Sequence, residues 1–257
     1  MAVIYAVANQ KGGVGKTTTT VNVAACMANG SRRVLLVDLD PQGNATSAVG
    51  IDKLSLEATS YEMLLGLSEA KACILNLKDF HMDLIPANMD LTGAEVELND
   101  LENKQMILDQ AIRPLRENYD YILIDCPPSL SMLTINALCA ADAVLVPLQG
   151  EYFALEGFSQ LMNTVNLVKK NLNPKLEIEG VIFTMYDRTI LGNQVIKEIE
   201  RFLPGKAYHT RIPRNVRLGE APSYGLPITY YDDRSKGAKS YRKLTEEILE
   251  RSQKIHA

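Results

Sequence analysis

Nowhere does the chain offer the ~20 consecutive apolar residues that a bilayer-spanning helix needs, so no membrane span is expected. Met1 to Ala8 is too short for a secretory apolar core and runs at once into Asn9-Gln10-Lys11, so a cytoplasmic location is expected. The four cysteines (Cys26, Cys73, Cys126, Cys139) contain no C-x-x-C pair, which argues against a zinc site and for buried, inert thiols. The three histidines (His81, His209, His256) are dispersed, with no two at metal-ligand spacing. Proline-, glycine- or serine-rich linkers, internal repeats and low-complexity tracts are missing as well, so residues 1–257 read as a single domain.

What is present is an ordinary globular balance, 46% apolar and 23% charged, enough to bury a full core. Short apolar, β-branched runs recur: Val3–Val7, Val34–Val37, Leu84-Ile85, Tyr121–Ile124, Ala143–Val146 and Val181–Phe183. They are nearly continuous rather than alternating, which predicts parallel strands covered on both faces. Helical stretches such as Lys16–Met27, Leu133–Ala140 and Glu156–Lys170 lie between them. The expected fold is therefore α/β: a doubly wound, mostly parallel sheet with helices on both faces and its ligand site beyond the carboxyl ends of the strands. Residues 52–80 show the weakest strand signal and read as a connecting helix or loop region. Pro114 should kink or break the otherwise helical Lys104–Asn118.

Charge is unevenly spread. The net charge of −4 argues against a nucleic-acid partner when taken whole. Yet Arg188–Lys243 holds 12 Lys and Arg against 5 Asp and Glu, leaving that segment at +7 and the remainder at −11.

The first predicted strand runs directly into Gln10-Lys11-Gly12-Gly13-Val14-Gly15-Lys16-Thr17-Thr18, followed by a helix. Glycines there let backbone N–H groups curl around a β-phosphate, and the helix N-terminus adds partial positive charge. Lys16 is placed to reach the β- and γ-phosphates, and the Thr17 hydroxyl to ligate Mg²⁺. The pattern implies MgATP binding by a P-loop, although the first glycine of the usual pattern is replaced by Gln10 and a second lysine, Lys11, opens the loop. Asp125 ends an apolar run and precedes Pro127-Pro128, a placement suited to holding Mg²⁺ through water. Asp38 and Asp40 end the second run; Asp38 suits a strand-end hydrogen-bonding group, while Asp40, already on the loop, suits moving and orienting a water, with metal contact also open to it.

These segments, with Asp38–Gly50, Pro86–Leu98, Asp125–Ala137, Glu151–Leu161 and Ile212–Gly225, resemble the ParA/Soj family of partition ATPases, within the MinD-like class with a deviant Walker A loop. The resemblance runs nearly end to end and is to the short type, whose P-loop begins near the N-terminus. One departure is Gly30-Ser31-Arg32-Arg33, where a tighter turn is usual. The resemblance implies that Lys11 reaches across a dimer interface to the partner's ATP, that Asp40 positions water and that Asp125 serves Mg²⁺. It points to Met185, Pro213 and Asn215 as candidates for the adenine pocket. It points to Arg188 and Arg217 as DNA-binding residues, with Arg214, Arg234, Lys236 and Lys239 as secondary candidates; Arg214, beside Pro213, is also open to a role on the nucleotide side.

The implied function is an ATPase for DNA segregation, nucleoid-associated, whose ATP-dependent homodimer binds double-stranded DNA non-specifically and is triggered by a ParB-type centromere-binding protein. The runner-up is a MinD-type cell-division ATPase, which would end in a basic amphipathic membrane helix with bulky anchors. The tail here has Leu244, Ile248, Leu249 and Ile255 but no Phe or Trp after Phe202, the spacing of a packed helix face. Metallocluster relatives would need a second cysteine beside Cys126. A small-metabolite synthetase would leave Lys11 without a purpose.

Overall fold

A computed structural model of the protein describes residues 1–29 and 32–255; Gly30, Ser31, His256 and Ala257 lie outside the described residues. Seven strands form one sheet: β1 (Val3–Val7), β2 (Val34–Asp38), β3 (Leu75–Leu77), β4 (Met82–Ile85), β5 (Tyr121–Asp125), β6 (Ala143–Gln149) and β7 (Glu177–Thr184). Their order is β3-β4-β2-β5-β1-β6-β7, and every pairing is parallel except β3 with β4. Each run expected from the sequence is a strand. Only β3 had no expectation: its three residues, inside the weakly patterned 52–80 region, are too short for a period to show, and they pair antiparallel at the edge.

The helices are α1 (Lys16–Ala28), α2 (Asn44–Ala48), α3 (Ser60–Leu64), α4 (Leu91–Glu97), α5 (Ile107–Ile112) and α6 (Met132–Ala140) in the first part of the chain. The second part adds α7 (Ala154–Asn171), α8 (Ile190–Phe202), α9 (Val216–Glu220), α10 (Ile228–Tyr231) and α11 (Lys236–Ile255). Because successive strand side chains point to opposite faces, β1 divides cleanly. Ile4 and Ala6 join a core with Leu133, Leu138, Phe158 and Leu161. Tyr5 and Val7 join another with Val23, Ala24, Leu244 and Ile248. Both faces of the strand are therefore dry, which is why its sequence reads as an unbroken apolar run. Truncating a fully buried residue such as Ile124 to Ala would cost about 2–5 kcal/mol.

Helix α7 buries Ala154, Phe158, Leu161, Met162, Val165 and Val168, one stripe at helical spacing. Helix α5 stops at Ile112 and the chain continues as a 3-10 turn over Arg113–Glu117, with Pro114 in its first turn. Proline has no N–H for the helical ladder, so the break falls where the sequence placed it.

Candidate active site

Parallel register assembles the centre of the site. Val7, the last residue of β1, lies beside Asp125, the last of β5, and Asp38, the last of β2, pairs with Asp125 on the other side. Three strand ends thus meet under the loop that follows β1, at the carboxyl edge where ligands bind on open α/β sheets.

That loop, 9–18, is held at its start by the Asn9 side chain. The Asn9 side chain donates to the Pro147 carbonyl (2.7 Å) and accepts from the Lys11 N–H (3.0 Å). Gly13 and Gly15 have φ of +73° and +85°, the left-handed region that costs other residues, and Gly15 is the residue from which α1 springs. Lys16 is buried, and its ammonium donates to the Lys11 carbonyl at 3.1 Å. Burial holds its pKa below the usual lysine value, while the Asp125 and Asp40 carboxylates favour the charged form.

Asp125 is fully buried and accepts from the hydroxyls of Thr17 (2.7 Å) and Thr20 (2.9 Å). Desolvation first, and then the neighbouring Asp38 carboxylate, raise its pKa. Asp38 is fastened by the Thr46 N–H (2.8 Å), the Thr46 hydroxyl (2.7 Å) and the Asp40 N–H (3.1 Å), so it anchors the loop between β2 and α2. Asp40 is freer: its carboxylate accepts from the Gln42 N–H (2.9 Å) and borders a cavity.

The cavity has a volume of about 480 Å³. Gly12, Gly13, Gly15, Lys16, Thr17 and Thr18 form one wall, facing Asp40, Gln42, Asn44 and Ser47. Met185, Ala221, Pro222, Leu226 and Pro227 contribute to the apolar part of the lining. Val14 is buried away from it and its carbonyl accepts from the Thr184 hydroxyl (2.7 Å). Among the described residues no group of three or more His, Cys, Asp and Glu is arranged to hold a metal. A cation here would rest on the Thr17 oxygen, Asp125 and a ligand's own oxygens.

The candidates from the sequence are not all brought together. Lys16, Thr17, Asp125, Asp40 and Met185 converge. Pro213 instead bridges Tyr186, and Asn215 caps α9 by accepting from the Arg217 N–H (2.9 Å); neither lines the cavity. Ala221, Pro222, Leu226 and Pro227 were not singled out from the sequence: the resemblance covers Ile212–Gly225 as a segment, but small and apolar side chains carry no chemistry that marks them as lining. Lys11 precedes the lining residue Gly12 and does not itself line the cavity; its ammonium is paired with the Glu151 carboxylate in the loop before α7.

The basic candidates lie on the surface. Arg188, with φ +59°, and Arg214, Arg234, Lys236 and Lys239 are exposed, and none makes an ion pair among the described residues. Arg217 is bound to Glu220 (2.8 Å) and Asp232 (3.5 Å), so part of its charge is spent within the chain.

Comparison with known proteins bears on this geometry. A family model described as an AAA domain matches residues 1–178. The chain is 54% identical over 249 residues to the sporulation initiation inhibitor protein Soj of Bacillus subtilis, covering 96% of this chain and 98% of that one. It is 50% identical to the chromosome partitioning protein ParA of Myxococcus xanthus, over 96% of this chain and 88% of the relative. Among solved structures, a cobyrinic acid a,c-diamide synthase from Mycobacterium smegmatis with bound ATP analogue and magnesium superposes with a TM-score of 0.87 at 38% identity, covering 98% and 96% of the two chains. A plasmid partition protein from Borrelia burgdorferi bound to AMPPNP gives 0.82 at 27% identity, covering 99% and 100%.

Proposed function

The chain belongs to the Soj/ParA family of chromosome-partitioning ATPases, and from that premise we propose that it is a DNA-segregation ATPase. Its ATP-bound dimer holds DNA without sequence preference and lets go when a ParB-type partner stimulates hydrolysis. The observation that carries this reading is the near-full-length identity to the Soj and ParA proteins.

The residues present fit MgATP. Gly12, Gly13, Gly15, Lys16, Thr17 and Thr18 line one side of a cavity large enough for a nucleotide, and the Lys16 ammonium is buried beside them. Lys16 draws charge from the β- and γ-phosphates, and a bound Mg²⁺, held by Thr17 and served by Asp125, would neutralise more of the developing charge. Asp40 faces the same space and orients the attacking water. Lys11 leaves Glu151 to meet the second subunit's triphosphate, where a cation is needed to offset repulsion between two facing nucleotides. Turnover without a partner is expected to fall well below the ~10 s⁻¹ median of enzymes, since a dimer that fired freely could not hold DNA.

The synthase similarity is one of overall fold at 38% identity, and a small-metabolite synthetase would leave Lys11 without a purpose. The membrane reading needs an unpaired apolar helix face, whereas Tyr241, Leu244 and Ile248 of α11 are buried in the core that includes α1.

The test is co-sedimentation with duplex DNA over a salt series, with an ATP analogue or ADP, beside anionic liposomes. Binding should need the analogue and fall with a log–log slope of about −0.9 per phosphate neutralised. Arg188→Glu should weaken it with dimerisation intact, and it is a cleaner probe than Arg217→Glu, which also breaks the pairs with Glu220 and Asp232. Lys11→Ala should remove the dimer and leave some nucleotide binding. A dimer that ignores DNA and sediments with liposomes overturns the reading.

A further inference from the structure

On the face opposite α1, an apolar groove of about 750 Å³ runs between α3 and α5. Met63, Leu65, Leu101, Ile107, Ala111 and Leu115 give it its apolar lining, with Glu69, Lys71 and Glu102 among its charged residues. Beside it, α4 and its flanking residues turn large apolar side chains outward: Met89, just before the helix, is 61% exposed, Val96 within it 72% and Leu101, just after it, 42%. Interleaved with them are Asp90, Glu95, Glu97, Asp100 and Glu102, and residues 87–103 contain no Lys or Arg. None of these five carboxylates has an ion-pair partner among the described residues.

We propose that this groove and ridge are the docking surface for a basic, amphipathic segment of a protein partner, and that docking there acts on Asp40. The proposal rests on the partition reading above and gives its stimulating partner a place to bind. Charge complementarity selects the occupant. Exposed apolar groups need an apolar stripe to cover them, and uncompensated carboxylates need cations around that stripe. A negatively charged partner, nucleic acid included, is repelled from the same surface.

The surface is joined to the hydrolytic loop by direct contacts. The Gln42 side-chain amide donates to the Met89 sulfur (3.9 Å), and the Gln42 N–H holds the Asp40 carboxylate (2.9 Å). The Ala87 N–H donates to the Thr46 hydroxyl (3.0 Å), which itself holds Asp38. Gly43, at φ +57°, lies so close to this strand end that a Cβ would fall 2.6 Å from the Ala87 carbonyl oxygen. A segment that covers Met89 therefore bears on Gln42, and through it on the carboxylate that must turn toward water. No comparable chain of contacts leads from the exposed arginines to Asp40 among the described hydrogen bonds.

The experiment uses the full chain with ATP, DNA and a ParB-type protein from the same organism as the probe. Two double variants leave the proposed catalytic machinery untouched: Glu97→Lys with Glu102→Lys, and Val96→Ser with Leu101→Ser. Each should keep basal turnover and ATP-dependent DNA binding while stimulated turnover at a fixed partner concentration falls about tenfold, the effect of losing ~1.4 kcal/mol of docking. In the unaltered chain, amides of 63–71 and 87–115 should gain hydrogen-exchange protection when the partner is added. Stimulation of both variants at the unaltered level, protection confined to other segments, or no stimulation of the unaltered chain overturns the docking surface. Failure of the unaltered dimer to bind DNA is a separate outcome and overturns the partition reading instead. Should the charge variant lose basal turnover, the Val96/Leu101 pair decides alone.

Discussion

The two ends of the nucleotide cavity are built in different ways. At the phosphate end, six of the lining residues are consecutive or nearly so between Gly12 and Thr18, and strand register delivers Asp125 and Asp38 to the same place. At the apolar end, Met185 follows β7 while Ala221, Pro222, Leu226 and Pro227 come from the segment between α9 and α10. The first end is fixed by covalent continuity and one set of hydrogen-bonded strands. The second exists only because distant loops fold against each other, so charge chemistry should dominate one and shape the other.

That contrast sets an order of expected effects. Lys16→Ala removes the buried ammonium of the phosphate end and should weaken ATP binding by roughly a thousandfold, ~4 kcal/mol, read by titration calorimetry; a loss below tenfold would erase the contrast. Asp40→Ala should leave MgATP binding in place and lower turnover by about a hundredfold or more, the range for a group acting in proton transfer or water orientation. Single-turnover hydrolysis at the unaltered rate would remove Asp40 from that role.

Effects at the apolar end should be smaller. Met185→Ala should raise the KM for ATP only a few-fold, ~1 kcal/mol for a partly exposed apolar contact, with kcat unchanged. A fall in kcat as large as that of Asp40→Ala would mean the two ends are not separable. The smallest change in nucleotide affinity is expected for Asn215→Ala. It removes the α9 cap and should cost about 1 kcal/mol of stability in thermal unfolding while KM stays put. A KM rise matching that of Met185→Ala would place Asn215 at the nucleotide after all.

The same division explains what could be read in advance. The strands and α1, α6 and α7 were legible because burial on two faces, or on one stripe, imposes a period on the residues that undergo it. The three residues of β3 were not, since a period needs several turns of the pattern to register. Asp38 and Asp40 look alike as letters two positions apart. They separate only when Thr46 is seen to occupy one carboxylate with two hydrogen bonds while the other faces the cavity.

The sequence by itself determined the phosphate-binding loop, the sheet that carries it and the basic character of residues 188–243, because these follow from local spacing, side-chain chemistry and composition. Only the tertiary structure decided that Lys11 rests on Glu151, that Arg217 is tied to Glu220 and Asp232, and that Pro213 and Asn215 stand outside the cavity while Ala221–Pro227 enclose it. Which partner a charge finds, and which loop closes over which wall, depends on distances between residues far apart in the chain, and local patterning carries no information about those distances.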